Sequence, residues 1–319
     1  MKAFVSHRYG SPDVMKLQDV AKPELTEESA LVRVRATSVN AFDWHMLRGK
    51  PYLARFGEGF RSPKTTILGL DVAGIVEAVG ASVTHIKPGD QVFGSRTGAF
   101  AEYISGRIMV PMPAGLTFEQ AAAVPTAGQT ALVGLRDKGG IQAGQRVLIN
   151  GAGGGVGTFA VQIAKAFGAD VTAVTSAKNV EMVNRIGADR VIDYTREDFT
   201  RGARRYDLIF DVGGNRSLSR TRRVLTPDGT LVLVAPGRGE WIGPIVRILG
   251  ATVTTRLGRQ QVRPFLAPVS RESLLVLKEL IEAGTVTPVI DRTYPFAEIP
   301  EAVRYLESGH VAGKVVITV

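Results

Sequence analysis

A glycine-rich segment between two apolar runs is the feature of this chain that most restricts its fold. Residues 146–176 read RVLINGAGGGVGTFAVQIAKAFGADVTAVTS. The apolar runs at 147–149 and 171–175 predict two strands, and the apolar periodicity between them predicts a helix that ends at Gly168. Strand, glycine turn, helix and strand within about 30 residues form a βαβ unit, whose helix N-terminus is suited to hold the pyrophosphate of a dinucleotide.

The glycines of this turn have a steric and an electrostatic consequence. Glycine lets the backbone turn tightly and approach phosphate oxygens, where a Cβ would intrude, and the first amides of the helix supply the positive end of its dipole. The spacing is Ala152-x-Gly154-x-x-Gly157, with alanine at the first glycine position of the usual fingerprint; counted from Gly151 it is G-x-x-G-x-x-G. A buried βα turn without a ligand is the alternative interpretation.

The end of the second predicted strand bears on which dinucleotide binds. NAD-binding units carry Asp or Glu about 20 residues after the glycines, where the carboxylate accepts from the ribose 2′-hydroxyl. Residues 175–179 here are Thr-Ser-Ala-Lys-Asn, without a carboxylate. Hydroxyls and a cation suit a 2′-phosphate better, so the sequence favours NADP(H), with Ser176 and Lys178 as contacts. A solvated lysine at a helix start is the alternative for Lys178.

Length and composition indicate the class of protein. A chain of 319 residues is long enough for about two domains, and 45% hydrophobic with 22% charged residues is ordinary for a globular protein. No apolar run approaches the ~20 residues needed to cross a bilayer. The N-terminus, MKAFVSHRYG, predicts a first strand rather than a signal peptide, so we expect a cytoplasmic protein.

The available residue types restrict the chemistry. Cysteine is absent, which excludes disulfides, thiol nucleophiles and cysteine-ligated zinc. The four histidines form no paired metal-binding motif, and no metal is expected. The net charge of +9 comes mostly from arginine, but the arginines are dispersed and are not interleaved with aromatic residues, so a nucleic-acid partner is not favoured.

The pattern of apolar and polar residues changes near Phe118. Before it, short β-type runs alternate with turns, which predicts a mostly antiparallel, β-rich domain. In LVRVRATSVN (31–40) apolar residues alternate with arginine and threonine, which predicts a half-exposed strand with Thr37 on the polar face. After it, helical and β patterns alternate, which predicts an α/β fold with a doubly wound parallel sheet. A helix capped by Ser270 and a last strand, KVVITV, are expected to return to the first domain. The predicted domains are therefore 1–124 with 269–319, and 125–268.

Seven motifs in a fixed order carry a family resemblance: SVNAFDWHMLRG (38–49), LGLDVAGIVEAVG (68–80), KPGDQVFG (87–94), AAVPTAGQTALVGL (122–135), the glycine turn, GADRVIDY (187–194) and GKVVITV (313–319). With them the chain resembles the medium-chain dehydrogenase/reductase superfamily over essentially its whole length. Within that superfamily it is similar to the zinc-free quinone oxidoreductases and alkenal (enone) reductases. The resemblance implies a Rossmann cofactor domain and a mostly β, GroES-like catalytic domain.

The departures from the zinc-dependent members indicate this branch. The positions that match the catalytic metal ligands of those relatives are Asn40, Leu70 and Thr126 here, and none is a good zinc ligand in that role. Without a Lewis acid, simple alcohol oxidation is not expected. Quinones and α,β-unsaturated carbonyls fit better, because the added charge spreads onto a conjugated oxygen.

The resemblance also implies roles near the nicotinamide. Asn40 is expected to orient the nicotinamide carboxamide or to donate to a developing oxyanion, with a turn-stabilising asparagine as the alternative. His45 and Tyr52 are candidate proton donors, with a surface histidine as the alternative for His45. Trp44 and Thr126 are expected in the substrate pocket, with a core tryptophan as the alternative for Trp44.

The cofactor contacts implied by the resemblance lie in both domains. They are Asn40, Thr126, Thr130, Gly154, Gly155, Val156, Gly157, Ser176, Lys178, Tyr194, Ala235 and Lys314. Lys314 matches a region where relatives carry a cation for the cofactor phosphate, and a solvated strand-end lysine is its alternative. Asp43 is expected to hold its loop rather than to act as a base.

The resemblance therefore implies a zinc-independent, NADPH-dependent oxidoreductase that transfers hydride to a quinone or an α,β-unsaturated carbonyl. Two alternatives stay open: an enoyl-thioester reductase, and a relative that binds NADPH without catalysis and acts as a structural or nucleic-acid-binding protein. The resemblance also implies a homodimer paired through an edge strand, for which Ala251–Thr255 is the candidate.

Overall fold

The structure is a computed structural model that describes residues 1–52, 55–234, 259–265 and 269–319. The chain forms two compact units. Unit 1 comprises Met1–Ala127, Val269–Ala283 and Pro288–Val319. Unit 2 comprises Gly128–Pro268 and Gly284–Thr287.

The described strands, numbered along the chain, are β1 (Lys2–Val5), β2 (Lys16–Asp19), β3 (Ala30–Val39), β4 (Asp71–Val79), β5 (Gln91–Ser95), β6 (Tyr103–Gly106), β7 (Met109–Pro111), β8 (Arg146–Asn150), β9 (Asp170–Thr175), β10 (Arg190–Asp193), β11 (Tyr206–Asp211), β12 (Leu225–Leu233), β13 (Gln261–Pro264), β14 (Ile290–Pro295) and β15 (Lys314–Thr318). The described α-helices are α1 (Ala41–Arg48), α2 (Arg55–Glu58), α3 (Phe118–Ala122), α4 (Pro125–Val133), α5 (Gly155–Ala166), α6 (Val180–Arg185), α7 (Leu218–Arg222), α8 (Arg271–Glu282) and α9 (Ile299–Glu307).

The main sheet of unit 1 is mostly antiparallel, as the sequence predicts. Its described strands run in the order β14-β15-β3-β4-β5-β7, and β6 also pairs with β3. Only the pairing of β14 with β15 is parallel among these strands. Because the C-terminal strand β15 pairs with β3, the two ends of the chain contribute to one sheet.

The alternation predicted for β3 holds in its first half and fails at its end. Arg33 is exposed and Val32 and Val34 are buried, whereas Thr37 and Ser38 are both fully buried. The prediction of Thr37 on an exposed face is therefore wrong. The physical reason is that its hydroxyl donates to the backbone carbonyl of Asp71 at 2.6 Å, so a polar group is satisfied inside the unit.

The sheet of unit 2 confirms the predicted α/β fold class. Its described strands run β10-β9-β8-β11-β12-β13, and every neighbouring pair is parallel. This is the doubly wound order, in which the direction of winding reverses between β8 and β11. Ligands bind at the carboxyl ends of strands beside such a reversal, and the glycine turn directly follows β8.

Local sequence signals explain where the helices begin. Pro125 stands at the first position of α4, where its missing N–H is harmless. Ser270 caps α8, as predicted, by accepting from the backbone N–H of Ser273. No helix in the described ranges is long and apolar enough to span a membrane.

Some sequence predictions fall outside the described residues. These are the candidate dimer strand Ala251–Thr255 and the predicted cofactor contact Ala235.

Candidate functional site

The glycine turn between β8 and α5 has the steric features of a phosphate-binding turn. Gly151 makes the tight bend, with φ +92°, and so takes the conformational role of the first glycine of the fingerprint. The neighbouring Ala152 is buried. A Cβ on Gly157 would lie 2.1 Å from the carbonyl oxygen of Gly151. Gly157 is therefore required by the close packing of helix on turn.

Gly154 differs from its neighbours because the protein itself leaves room beside it. It is the N-cap of α5, with φ −90° and ψ 176°, and the nearest atom to an added Cβ would be the oxygen of Gly151 at 3.7 Å. The first turn of α5, which includes Gly155, Val156 and Gly157, carries no acidic residue. Its amides have no acceptor within the helix, so this turn fits an anionic phosphate group.

The structure brings together the three residues predicted around a 2′-phosphate. Ser176 directly follows β9, and Tyr194 directly follows β10 and donates its backbone N–H to Thr175 at 3.0 Å. Lys178 is exposed on the short 3₁₀ turn 177–179. All three thus lie at the carboxyl ends of adjacent parallel strands.

A carboxylate that is not among the predicted cofactor contacts also lies there. Asp193 ends β10, and its oxygen Oδ1 accepts from the N–H and the hydroxyl of Thr195 at 3.0 and 2.8 Å. These hydrogen bonds lower the pKa of Asp193. The carboxylate is therefore charged at neutral pH and already bound by neighbouring groups of the loop.

Unit 1 contains a second polar region, centred on Asp71, which we call the Asp71 network. Asp71 is fully buried, and its carboxylate accepts five hydrogen bonds from described residues. Oδ2 accepts from Ser38 Oγ at 2.7 Å, Asn40 Nδ2 at 2.9 Å and Lys314 Nζ at 3.3 Å. Oδ1 accepts from the backbone N and the hydroxyl of Thr126 at 2.9 and 2.5 Å.

Sheet register assembles this network from four distant segments. Ser38 in β3 pairs with Asp71, the first residue of β4, and β15 pairs with the same end of β3 through Val39 and Val315. Asn40 follows β3 and precedes α1. Thr126 lies in the first turn of α4, so a carboxylate meets a helix N-terminus, which is electrostatically favourable.

The structure places Asn40 and Lys314 inside the network. Lys314 Nζ donates to Asn40 Oδ1 at 2.6 Å, and Lys314 is only 3% exposed. The alternative of a solvated strand-end lysine is therefore wrong, because the side chain turns into the sheet to reach Asn40 and Asp71. Asn40 Nδ2 donates to Asp71, and its second described acceptor is the carbonyl of Ser38 at 3.5 Å.

Asp43 is a second buried carboxylate beside the network. Its oxygens accept from the backbone N–H of Asn40 at 2.7 Å and of Gly69 at 3.1 Å, so it ties α1 to the segment before β4, in the loop-holding geometry predicted for it. Desolvation raises the pKa of Asp43 to about 7. The two backbone hydrogen bonds and Lys314 oppose that rise, while the charge of Asp71 adds to it.

The side chains of His45 and Trp44 contact one another. Their rings stack with centroids 3.6 Å apart, so one face of the Trp44 ring is covered. His45 Nδ1 lies 3.1 Å from the carbonyl oxygen of Lys50, which can only accept, so we assign the hydrogen to Nδ1. Burial lowers the pKa of His45. The neutral ring then presents a lone pair at Nε2, which disfavours the predicted proton-donor role.

Tyr52 lies in a cluster of cations and aromatic rings. The guanidinium of Arg55 stands 4.8 Å from the centroid of the Tyr52 ring and 4.3 Å from that of Tyr9. Lys50 Nζ is 5.9 Å from the Tyr52 centroid. Arg55 also donates to the carbonyl of Gly49 at 3.0 Å. The Tyr52 ring therefore lies beside two cationic side chains, those of Arg55 and Lys50.

Sequence reasoning missed Asp71, the centre of the network. A signal existed, because Asp71 interrupts the apolar stretch LGLDVAGIV and aspartate is depleted in strands. Of the other predicted contacts, Thr130 is half-buried in α4. No group of three histidine or acidic side chains that could hold a metal ion occurs among the residues whose structure is described.

Two known protein families match this chain, one in its N-terminal half and one in its C-terminal half. Residues 26–113 match the family described as alcohol dehydrogenase GroES-like domain, and residues 186–317 match the family described as zinc-binding dehydrogenase. Unit 1 contains the whole of the first match.

Individual relatives match almost end to end. The 2-methylene-furan-3-one reductase of Solanum lycopersicum is 34% identical, over 99% of this chain and 79% of its own. The NADPH-dependent alkenal/one oxidoreductase of Arabidopsis thaliana chloroplasts is 32% identical, over 99% and 79%. The structure of Escherichia coli quinone oxidoreductase with NADPH superposes with a TM-score of 0.84 at 26% identity, covering all of both chains. The chain therefore belongs to the medium-chain dehydrogenase/reductase superfamily, in its branch of quinone oxidoreductases and alkenal reductases.

Proposed function

We propose that this protein is an NADPH-dependent, zinc-independent oxidoreductase that reduces a quinone or an α,β-unsaturated carbonyl. The observation that carries the proposal is the space beside Gly154. The turn excludes side chains at Gly157 because of its own packing, but at Gly154 the protein leaves an open position at a helix N-terminus. A side chain is unnecessary there if a phosphate of the cofactor approaches the backbone.

NADPH in preference to NADH is supported by the ends of β9 and β10. Ser176, Lys178 and Tyr194 offer a hydroxyl, a cation and a ring, which suit a 2′-phosphate. Asp193 is already engaged by Thr195. The Escherichia coli neighbour was crystallised with NADPH, and the Arabidopsis relative is named for it.

The choice of acceptor follows from the absence of good zinc ligands at the three positions that match the metal ligands of the zinc-dependent relatives. Asn40 and Thr126 both use their side chains on Asp71, and Leu70 has no ligand atom. A bound reduced nicotinamide supplies the hydride, so the residues of the chain need only bind, orient and stabilise charge. Conjugated acceptors delocalise that charge, and the names of the relatives include both quinone and alkenal substrates.

The test is oxidation of NADPH and of NADH, measured in parallel with a panel of quinones and enones. Turnover that prefers NADPH by about tenfold or more in kcat/KM would support the proposal, and the best acceptor would define the substrate class. Tight NADPH binding without turnover on any acceptor would contradict it and favour an enoyl-thioester substrate or a non-catalytic role.

We also propose a homodimer, since closed two-fold pairs are the commonest assembly of such chains. Its mass in solution, measured by light scattering coupled to gel filtration, would decide between one and two copies.

A further inference from the structure

The side chain of Lys314 is in an unusual position for a lysine. It is 3% exposed and donates to Asn40 Oδ1 at 2.6 Å and to Asp71 Oδ2 at 3.3 Å. Lysine is almost never buried to this extent unless it is paired. Here the ammonium joins the start of β15 to the N-cap of α1 and the start of β4.

The contacts of Asn40 define which way its carboxamide points. The oxygen accepts from an ammonium, which cannot accept, and Nδ2 donates to the carboxylate of Asp71, which cannot donate when charged. A 180° flip of the carboxamide would oppose donor to donor and acceptor to acceptor. The orientation of the Asn40 carboxamide is therefore fixed, and its second N–H, whose described acceptor Ser38 O is distant at 3.5 Å, is the hydrogen that can be donated to a further group.

The hydroxyl of Thr126 is also restricted in the hydrogen bonds that it can make, and what it can offer to a further group is an acceptor. Its hydroxyl proton is donated to Asp71 Oδ1 at 2.5 Å, and its backbone N–H goes to the same oxygen. The hydroxyl oxygen of Thr126 can then only accept from a further group. The pair formed by Asp71 and Lys314 thus orients Asn40 so that an N–H can be donated to a further group, and Thr126 so that its hydroxyl oxygen can accept from one.

We infer that Lys314 is a positioning residue for the reaction: its ammonium holds the carboxamide of Asn40 as a donor, while Asp71 holds the hydroxyl of Thr126 as an acceptor. One donor and one acceptor complement a primary carboxamide, which has one carbonyl and one amino group. The nicotinamide carboxamide is such a group, and this part of the inference rests on the proposed function. Lys314 then acts through Asn40 and not as a contact of the cofactor phosphate.

The experiment removes the ammonium and follows Asn40 directly. The chain has five asparagines, so the Nδ2 signals of protein labelled in asparagine are few, and those of Asn40 are assigned by their loss in Asn40→Ser. In Lys314→Met we expect solvent exchange of the Asn40 Nδ2 hydrogens to accelerate about tenfold or more, since a fixed hydrogen bond is lost. The signals of Asn150 in unit 2 serve as the internal control.

The kinetic arm separates positioning from binding. Lys314→Met should lower kcat about tenfold or more and change the Kd for NADPH by less than about threefold. Lys314→Arg retains a cation and should recover most of kcat. Lys278→Met, which removes a lysine paired at the surface with Glu282, should leave both values unchanged.

Loss of one partner of a buried ion pair can prevent folding, so Lys314→Met/Asp71→Asn provides a folded form without either charge. The inference is overturned if the Asn40 signals exchange as in the wild type in both the single and the double variant, or if kcat is unchanged in both. If the wild type reduces no acceptor, the proposed function fails, and the exchange rates of Asn40 still decide whether Lys314 holds its carboxamide.

Discussion

In the glycine turn of unit 2, residues 151–157, the polar groups are backbone amides, and the structure depends on side chains being absent. In the Asp71 network of unit 1 the polar groups are side chains, and the structure depends on their charges being matched. The turn is seven consecutive residues. The network joins residues as distant as Asn40 and Lys314, which are 274 positions apart along the chain.

This difference indicates which kind of substitution should impair ligand binding or folding in each region. A turn that relies on empty space is damaged by added volume, and the effect on ligand binding can be separated from the effect on folding. A network that relies on matched charges is damaged when one member is neutralised, because the remaining charge stays buried. The predictions below test these two modes, from the largest expected effect to the smallest.

Neutralising Asp71 should have the largest effect. Asp71→Asn leaves the ammonium of Lys314 buried without its nearest counter-charge, and breaking a buried pair in this way costs about 3–5 kcal/mol. Urea unfolding at pH 7 measures the loss. Asp19→Asn is the matched control, since Asp19 pairs with Lys2 on the exposed surface of the same unit, and its stability should not change measurably. Equal losses in the two variants would refute the view that charge matching inside unit 1 matters.

The second prediction concerns the pH dependence of stability. The folded pKa of Asp43, about 7, is above its unfolded value of 3.8, so the folded state binds the proton more tightly. Stability from this group is therefore fully present below pH ~4 and falls as pH rises to ~7, by about 1.4 kcal/mol per pH unit at most. Above the folded pKa the contribution is constant.

Asp43→Asn should flatten this slope, measured by urea unfolding from pH 4.5 to 8. The variant also leaves one of the N–H groups of Asn40 and Gly69 without an acceptor, which lowers stability by about 1–3 kcal/mol at every pH. The slope and not the offset is therefore diagnostic. An unchanged slope would mean that Asp43 titrates at an ordinary pKa in the folded protein.

The third prediction tests the empty space in the glycine turn. Gly154→Ala should leave the melting temperature unchanged, since its Cβ would find only an atom at 3.7 Å, but should weaken NADPH binding about tenfold or more, because the phosphate can no longer approach. Gly157→Ala should lose stability as well, since its Cβ would meet a backbone oxygen at 2.1 Å. Gly202→Ala is the control in the same unit, because its φ is −68° and the nearest atom to an added Cβ would be the carbonyl oxygen of Phe199 at 3.6 Å, an ordinary contact. Normal NADPH affinity in Gly154→Ala would place the phosphate elsewhere.

The smallest effect is expected at the 2′-phosphate. Lys178→Ala should raise the Kd for NADPH about tenfold, as expected for one charge-assisted hydrogen bond on an exposed side chain, and should leave the Kd for NADH unchanged. Ser176→Ala should act in the same direction but less strongly, because a hydroxyl carries no charge. Fluorescence titration with both dinucleotides measures the ratio. Parallel loss of both affinities would mean that these residues shape the turn and do not read the phosphate.

Particular residues show where sequence reasoning succeeded. Spacing alone identifies Gly151, Gly154 and Gly157, because a βαβ unit is built from neighbours along the chain and the steric demand on each of these glycines is local. The cap at Ser270 and the mostly antiparallel sheet of unit 1 were predicted for the same reason: period and capping are short-range properties.

Other residues show where it could not succeed. The alternating pattern predicts an exposed Thr37, because alternation describes the direction of a side chain and not what covers that face of the sheet. Lys314 had two predicted surroundings, and the structure shows a third, in contact with Asn40 and Asp71. The burial of a charge depends on partners that arrive from other segments, and no local pattern records them.

By itself, then, the sequence determined the parallel βαβ sheet, the glycine turn after its first strand, and the family of the chain, since these depend on residue types at short, fixed spacings. Only the tertiary structure decided that Asp71 is the centre of a buried network, that Lys314 supplies its cation, and that Asn40 and Thr126 both donate to its carboxylate. The physical reason is that sheet register brings the ends of β3, β4 and β15 together, and a buried charge is tolerated only where such pairing places an opposite charge beside it.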